Sequence, residues 1–173
     1  MASVDKSEAS GWAERVERLA RLVPGVARYQ DREGLRETDK QVRIYAGELL
    51  GSVARDLEPA EQRLADGGKL DRLPALDRIG RRIGMLADRV RLARYGFAGV
   101  FALHKIREKE LASLHDFDAR LVEAIPGLQA AVRGVAEKAD QDTGFSEAVR
   151  AAEEALQRVE QTLEERDRLA RGL

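Results

Sequence analysis

The 173-residue sequence has no cysteine, so disulfides, thiolate metal sites and cysteine nucleophiles are all excluded. Aromatic residues make up only 5% of it, a poor supply for β-sheets, which draw on aromatic and β-branched side chains, and proline, which breaks helix interiors, occurs only four times. No uninterrupted apolar stretch approaches the roughly 18 residues needed to cross a bilayer. The first ten residues lack the basic start and apolar run of a secretory signal. There is also no excess of one charge: 30 basic residues face 31 acidic ones, whereas a dedicated nucleic-acid binder usually has a basic domain. These absences predict a cytoplasmic protein.

What is present is charge and helix-forming residues. Asp, Glu, Lys and Arg supply 35% of the chain, and Ala, Leu, Arg and Glu recur throughout, a composition typical of long helices. The charge is unevenly placed. Residues 69–107 hold 10 basic and 3 acidic residues, net +7, while residues 108–173 hold 9 basic and 15 acidic, net −6.

Apolar residues at alternating spacings of three and four mark five helical stretches. The first carries Trp12, Val16, Leu19 and Val23, starts at Ser10 and ends at Pro24-Gly25. The second runs from Leu35 to Asp66 with a kink at Pro59, a rod of roughly 48 Å, and ends at Gly67-Gly68. In the third, Leu76, Ile79, Ile83, Leu86, Val90, Ala93 and Phe97 form an unbroken heptad seam. Gly80 and Gly84 lower its helix propensity, and the expected reason is close approach of a neighbouring backbone. The fourth runs from Leu111 to Val135 with a kink or tight break at Pro126, and the fifth from Phe145 to Leu163. On the fifth, Glu153, Glu154, Glu160, Glu164, Glu165 and Arg166 are expected to be solvated.

Narrow stripes of this kind are buried only against one another. The predicted fold is all-α, an elongated antiparallel helical bundle or coiled-coil hairpin with about five helical segments. It forms a single domain over 1–173, with 1–30 as a semi-independent N-terminal amphipathic helix.

Three features bear on function. Tyr95 to Leu103 is nine consecutive uncharged residues, including Tyr95, Phe97 and Phe101, flanked by Arg89, Arg91 and Arg94 before and His104, Lys105 and Arg107 after. Such a segment suits a partner's groove or an anionic membrane surface, although burial as a helix crossing is the preferred expectation. Arg78, Arg81, Arg82, Arg89, Arg91 and Arg94 form a basic surface that is able to neutralise phosphates or, as preferred, to pair with the acidic fourth and fifth stretches and set helix order. Trp12 lies on the stripe of the first helix, where it can meet lipid, cap the bundle or pair with a second copy.

Catalytic and metal signals are weak. His104 and His115 have acidic neighbours, but Phe101 and Ala112 stand where a Glu-x-x-His metal motif needs glutamate. There is no phosphate-binding glycine loop, GxSxG or HExxH. No catalytic residue, metal or cofactor is predicted.

Two stretches, PGVARYQDREGLRETDKQVR (24–43) and DRVRLARYGFAGVFALHK (88–105), resemble bacterial helical proteins that accompany SPFH or phage-shock-type membrane-organising proteins. The resemblance implies no catalytic residues and points towards membrane stress. The expected function is that of a non-enzymatic helical adaptor or scaffold that self-associates or binds a helical or membrane-associated partner. It would be cytoplasmic or peripheral at the inner face of the membrane. The alternative is a nucleic-acid-associated protein using the arginine-rich third helix.

Overall fold

The computed structural model describes residues 17–25, 32–92 and 108–172. Its main elements are α1 (Arg32–Arg55), α2 (Glu58–Asp66), α3 (Leu73–Leu92), α4 (Glu108–Lys138) and α5 (Phe145–Gly172), with a 3-10 turn at Leu70–Arg72 before α3. A short helical stretch, 17–22, precedes α1. Among the described residues there is no strand, and the all-α bundle expected from the sequence is what forms.

The expected 35–66 rod, kinked at Pro59, is instead two helices parted at residues 56–57. Proline lacks an N–H, and its ring collides with the carbonyl four residues earlier. For Pro59 that residue is Arg55, where α1 ends. The chain turns through Asp56 and Leu57 and restarts as α2 with Pro59 in its first turn, the position that tolerates it. Pro126 has the opposite outcome, because α4 runs through it without interruption. There the exposed proline lies between the buried Ile125 and Leu128. Burying one such side chain contributes about 1.5–3 kcal/mol, so this anchorage offsets the roughly 3 kcal/mol that an interior proline costs.

Glycines end the helices where the sequence predicts. Gly68 takes φ +70°, and the Gly68 and Lys69 amides donate to the Ala65 and Leu64 carbonyls at 3.3 and 3.0 Å, the Schellman arrangement. Gly144, at φ +84°, marks the turn between α4 and α5.

Two antiparallel hairpins, α1/α3 and α4/α5, lie side by side with α1 along α4 and α3 along α5. The order of pairing shows the directions. Arg78, Arg82 and Arg89 of α3 meet Glu153, Glu160 and Asp167 of α5 in ascending sequence, so α3 and α5 are parallel. These adjacencies close a ring α1–α3–α5–α4, which places α3 and α4 on a diagonal. The 93–107 connection therefore joins diagonal helices at one end of the bundle, while α2 and the 3-10 turn close the other.

The core is continuous along this axis. Leu50 and Val53 of α1, Ile79 and Ile83 of α3, Leu128 and Val132 of α4, and Leu156 and Val159 of α5 are all fully buried. Leu19 and Val23 of the N-terminal segment join them. The described part of that segment is docked, and its apolar stripe faces protein.

Candidate interaction surface

The inner seam of α3 is buried as its spacing predicts, through Leu76, Ile79, Ile83, Leu86 and Val90. On the α5 side of that seam stand three arginines. Arg78 donates to Glu153 through Nε and Nη2 at 3.1 and 2.7 Å. Arg82 grips both Glu160 oxygens at 3.3 and 2.8 Å, and Arg89 donates twice to one oxygen of Asp167 at 3.2 and 2.7 Å. Each pair is open to solvent and stabilises by only about 0–1 kcal/mol. Their larger effect is on order: the three carboxylates recur every seven residues along α5, so they present one charged edge to one basic edge. Glu153 and Glu160, expected to be solvated, are partly covered by this ladder.

On the α1 side, Arg91 lies lengthwise over Gly47 and Gly51. A Cβ at Gly47 would stand 2.5 Å from Arg91 Cγ and 2.8 Å from its Nε. Arg91 Nη2 donates to the Gly47 carbonyl at 2.9 Å. The close approach expected at Gly80 and Gly84 is not found there. A Cβ at Gly80 would meet only Leu57 Cδ1 at 3.7 Å, and one at Gly84 would meet nothing within 4 Å. The glycines that accommodate a neighbour are those of α1, and the neighbour is a side chain.

At the closed end three cations converge on the last turn of α4 and the turn that follows it. Arg63 donates to the Ala136 carbonyl at 2.7 Å, and Arg72 to those of Ala139 and Gln141 at 2.7 and 2.6 Å. Lys69 donates to that of Asp140. Carbonyls at a helix C-terminus lack intrahelical donors and carry the negative end of the helix dipole, so cations from the first hairpin complete the second. Arg72 also stacks 5.1 Å from the Phe145 ring centroid. A cleft of about 540 Å³ opens beside it, lined by Asp71, Asp142 and Glu147 as well as Arg72. Its mixed charge matches no single ligand class.

The core also holds polar groups. Arg166 Nε donates to Asp118 Oδ1 at 2.5 Å, with the two side chains only 7% and 2% exposed. Thr38, Arg43 and His115 are buried too. The expectation that Arg166 is solvated is therefore corrected. A helical period shows that it borders the apolar stripe but not that a carboxylate awaits it 48 residues earlier. Arg18 of the N-terminal segment grips both oxygens of Glu123 at 2.8 and 2.5 Å. The hydrogen bond to Glu123 raises the Arg18 pKa, against a smaller opposing effect of burial.

The predicted contact residues Trp12, Tyr95, Phe97 and Phe101, and the basic Arg94, lie outside the described residues. Of the predicted basic surface, Arg81 pairs with Asp77 at 2.7 Å within α3. Arg91, besides its glycine seat, stands 3.7 Å from Asp88. Sequence reading missed the apolar side chains on the outer face of α3, where Met85 is 65% and Leu92 is 76% exposed. The available signal was that neither fits the register of the inner seam. Among the described residues no three His, Asp or Glu side chains come together to hold a metal ion, and no helix is long and apolar enough to cross a membrane. No protein-family model matches the chain, and no curated protein or solved structure matches it either.

Proposed function

We propose that this chain is a non-enzymatic helical adaptor or scaffold, one that self-associates or binds a helical or membrane-associated partner. The supporting observation is the division of α3 into two faces. Its inner seam is covered by the chain's own core and its flanking arginines by the carboxylates of α5. Met85 and Leu92 stand in solvent on the opposite face, and exposed apolar side chains in register along one helix suit contact with another helix. In the sequence, α3 is followed shortly by Tyr95 to Leu103, the uncharged segment between basic flanks. A role beside membrane-organising proteins at the inner face of a bacterial membrane is part of the same proposal and draws on the resemblance of 24–43 and 88–105.

The proposal is preferred to nucleic-acid binding because Arg78, Arg82 and Arg89 already meet carboxylates. Two measurements test it. Flotation with anionic liposomes examines the membrane form, with a Phe97→Asp, Phe101→Asp variant as control, and light scattering after size exclusion reports self-association. A folded chain that stays monomeric, ignores liposomes and binds nucleic acid at low salt with a steep salt dependence would reverse the preference.

A further inference from the structure

The outer face of α3 has a heptad spacing of its own. Pro74, Arg78, Arg81, Met85, Asp88 and Leu92 follow one another at intervals of 4, 3, 4, 3 and 4, and all six are exposed. This is a second seam on the side of α3 away from the core. Within one chain nothing on it is apolar enough to bury alone, but its order has a symmetry.

We propose that this seam is the contact between two copies of the chain, laid antiparallel about a two-fold axis near Ile83. An antiparallel coiled pair sets each position of one seam type against the other type on its partner, and a two-fold contact must be complementary to itself. With the axis there, Pro74 meets Leu92 of the partner subunit, Arg78 meets Asp88 of the partner subunit, and Arg81 meets Met85 of the partner subunit. Each pairing then occurs twice. The outcome is apolar against apolar at both ends, opposite charges inside them, and an arginine stem along a methionine at the centre.

The side chains are free to do this. Arg78 engages Glu153 through Nε and Nη2, leaving Nη1 for a second acceptor. Among the described residues Asp88, 69% exposed, has Arg91 near it at 3.7 Å, and Arg81, 70% exposed and paired with Asp77 on its own helix, has its stem open to solvent. Parallel alignment offers no such match, because each residue then faces its own kind and both arginines meet arginines. The inference rests on the self-association part of the proposed function and names its surface.

The absence of cysteine makes the test direct. In an equimolar mixture of Arg81→Cys and Met85→Cys chains, mild oxidation should give a mixed disulfide dimer well above the yield from an Arg150→Cys control on the exposed face of α5. Sedimentation velocity at rising micromolar concentration should show a dimer. Asp88→Arg and Leu92→Asp should each raise its dissociation constant by about tenfold or more. Circular dichroism melts below the concentration at which the dimer forms should not change, since both side chains are exposed in the single chain, whereas above it the variants should melt lower by the stability that association adds. A dimer indifferent to both variants overturns the seam but leaves self-association standing. A monomer at every concentration overturns both the seam and self-association, while liposome binding by that monomer would keep the partner-binding form of the proposed function.

Discussion

Replacing Gly47 with alanine opposes two effects of similar size, and the structure says which residue decides between them. In a helix interior, glycine to alanine is worth about 1 kcal/mol in favour of the folded state. At Gly127 and Gly134 of α4 a new Cβ meets nothing within 4 Å, so each alanine there should stabilise by close to that amount, roughly 2–4 °C in Tm for a chain of this length. At Gly47 the new Cβ falls 2.5 Å from Arg91 Cγ, close to the base of that side chain, where a change of rotamer has to move the whole arginine. The displaced Arg91 gives up its bond to the Gly47 carbonyl, about 0.5–1.5 kcal/mol, together with contact along α1. The expected net effect of Gly47→Ala is zero or a small loss. In an Arg91→Ala background the obstacle is gone and the gain of about 1 kcal/mol should reappear. Urea unfolding of the four chains of this double-mutant cycle should give a coupling of about 1–2 kcal/mol. If Gly47→Ala stabilises equally with and without Arg91, the seating of Arg91 on α1 is wrong.

Asp118→Ala removes the buried carboxylate to which Arg166 Nε donates and should lose up to about 3–5 kcal/mol in urea unfolding, whereas Asp118→Leu with Arg166→Met should retain most of the stability. Near-equal losses for the two would show that the pair is not buried as described. Glu61 is raised above the ordinary carboxylate pKa, first by burial and then by Asp77 and Glu58. The native state therefore holds this proton more tightly than the unfolded chain, and stability should rise as pH falls through the native value towards the unfolded one. Glu61→Gln should raise neutral-pH stability slightly and flatten that part of the profile in thermal melts across mildly acid pH, and an unchanged slope would refute the assignment. Glu160→Lys sets a cation against Arg82 and should destabilise measurably, with added salt recovering part of the loss because exposed charges are screened. A loss unaffected by salt would mean that the residue acts through packing.

The inner seam of α3 was legible because burial on one side of a helix leaves a period, and Leu76 to Val90 keep it without interruption. The helix end at Gly67-Gly68 was legible because backbone geometry is local. The block charges of the middle and last parts foretold attraction but not its partners. That Arg82 meets Glu160 depends on α3 and α5 lying parallel, which no local pattern states. Pro59 and Pro126 look alike in sequence, yet the first opens a helix and the second lies inside one, and since buried residues flank both, no local pattern separates them. Asp118 and Arg166 were out of reach for the same reason as Gly47 and Arg91: each pair is made by the crossing of helices distant in sequence. The outer residues Met85 and Leu92 were passed over because the stronger periodicity beside them claimed the helix.

The cations of the first hairpin that bind the end of α4 bear on how the two halves of the molecule cohere. Arg63, Lys69 and Arg72 fasten the halves at the end opposite the 93–107 connection, and the ladder between α3 and α5 fastens them along the side. The covalent link is thus one joint among several, since Asp56, just after α1, also holds Gln129 and Arg133 of α4. A chain cut within that connection, or its two halves made as separate polypeptides, should reassemble by complementation, leaving the connecting sequence at liberty to diversify without dissolving the bundle.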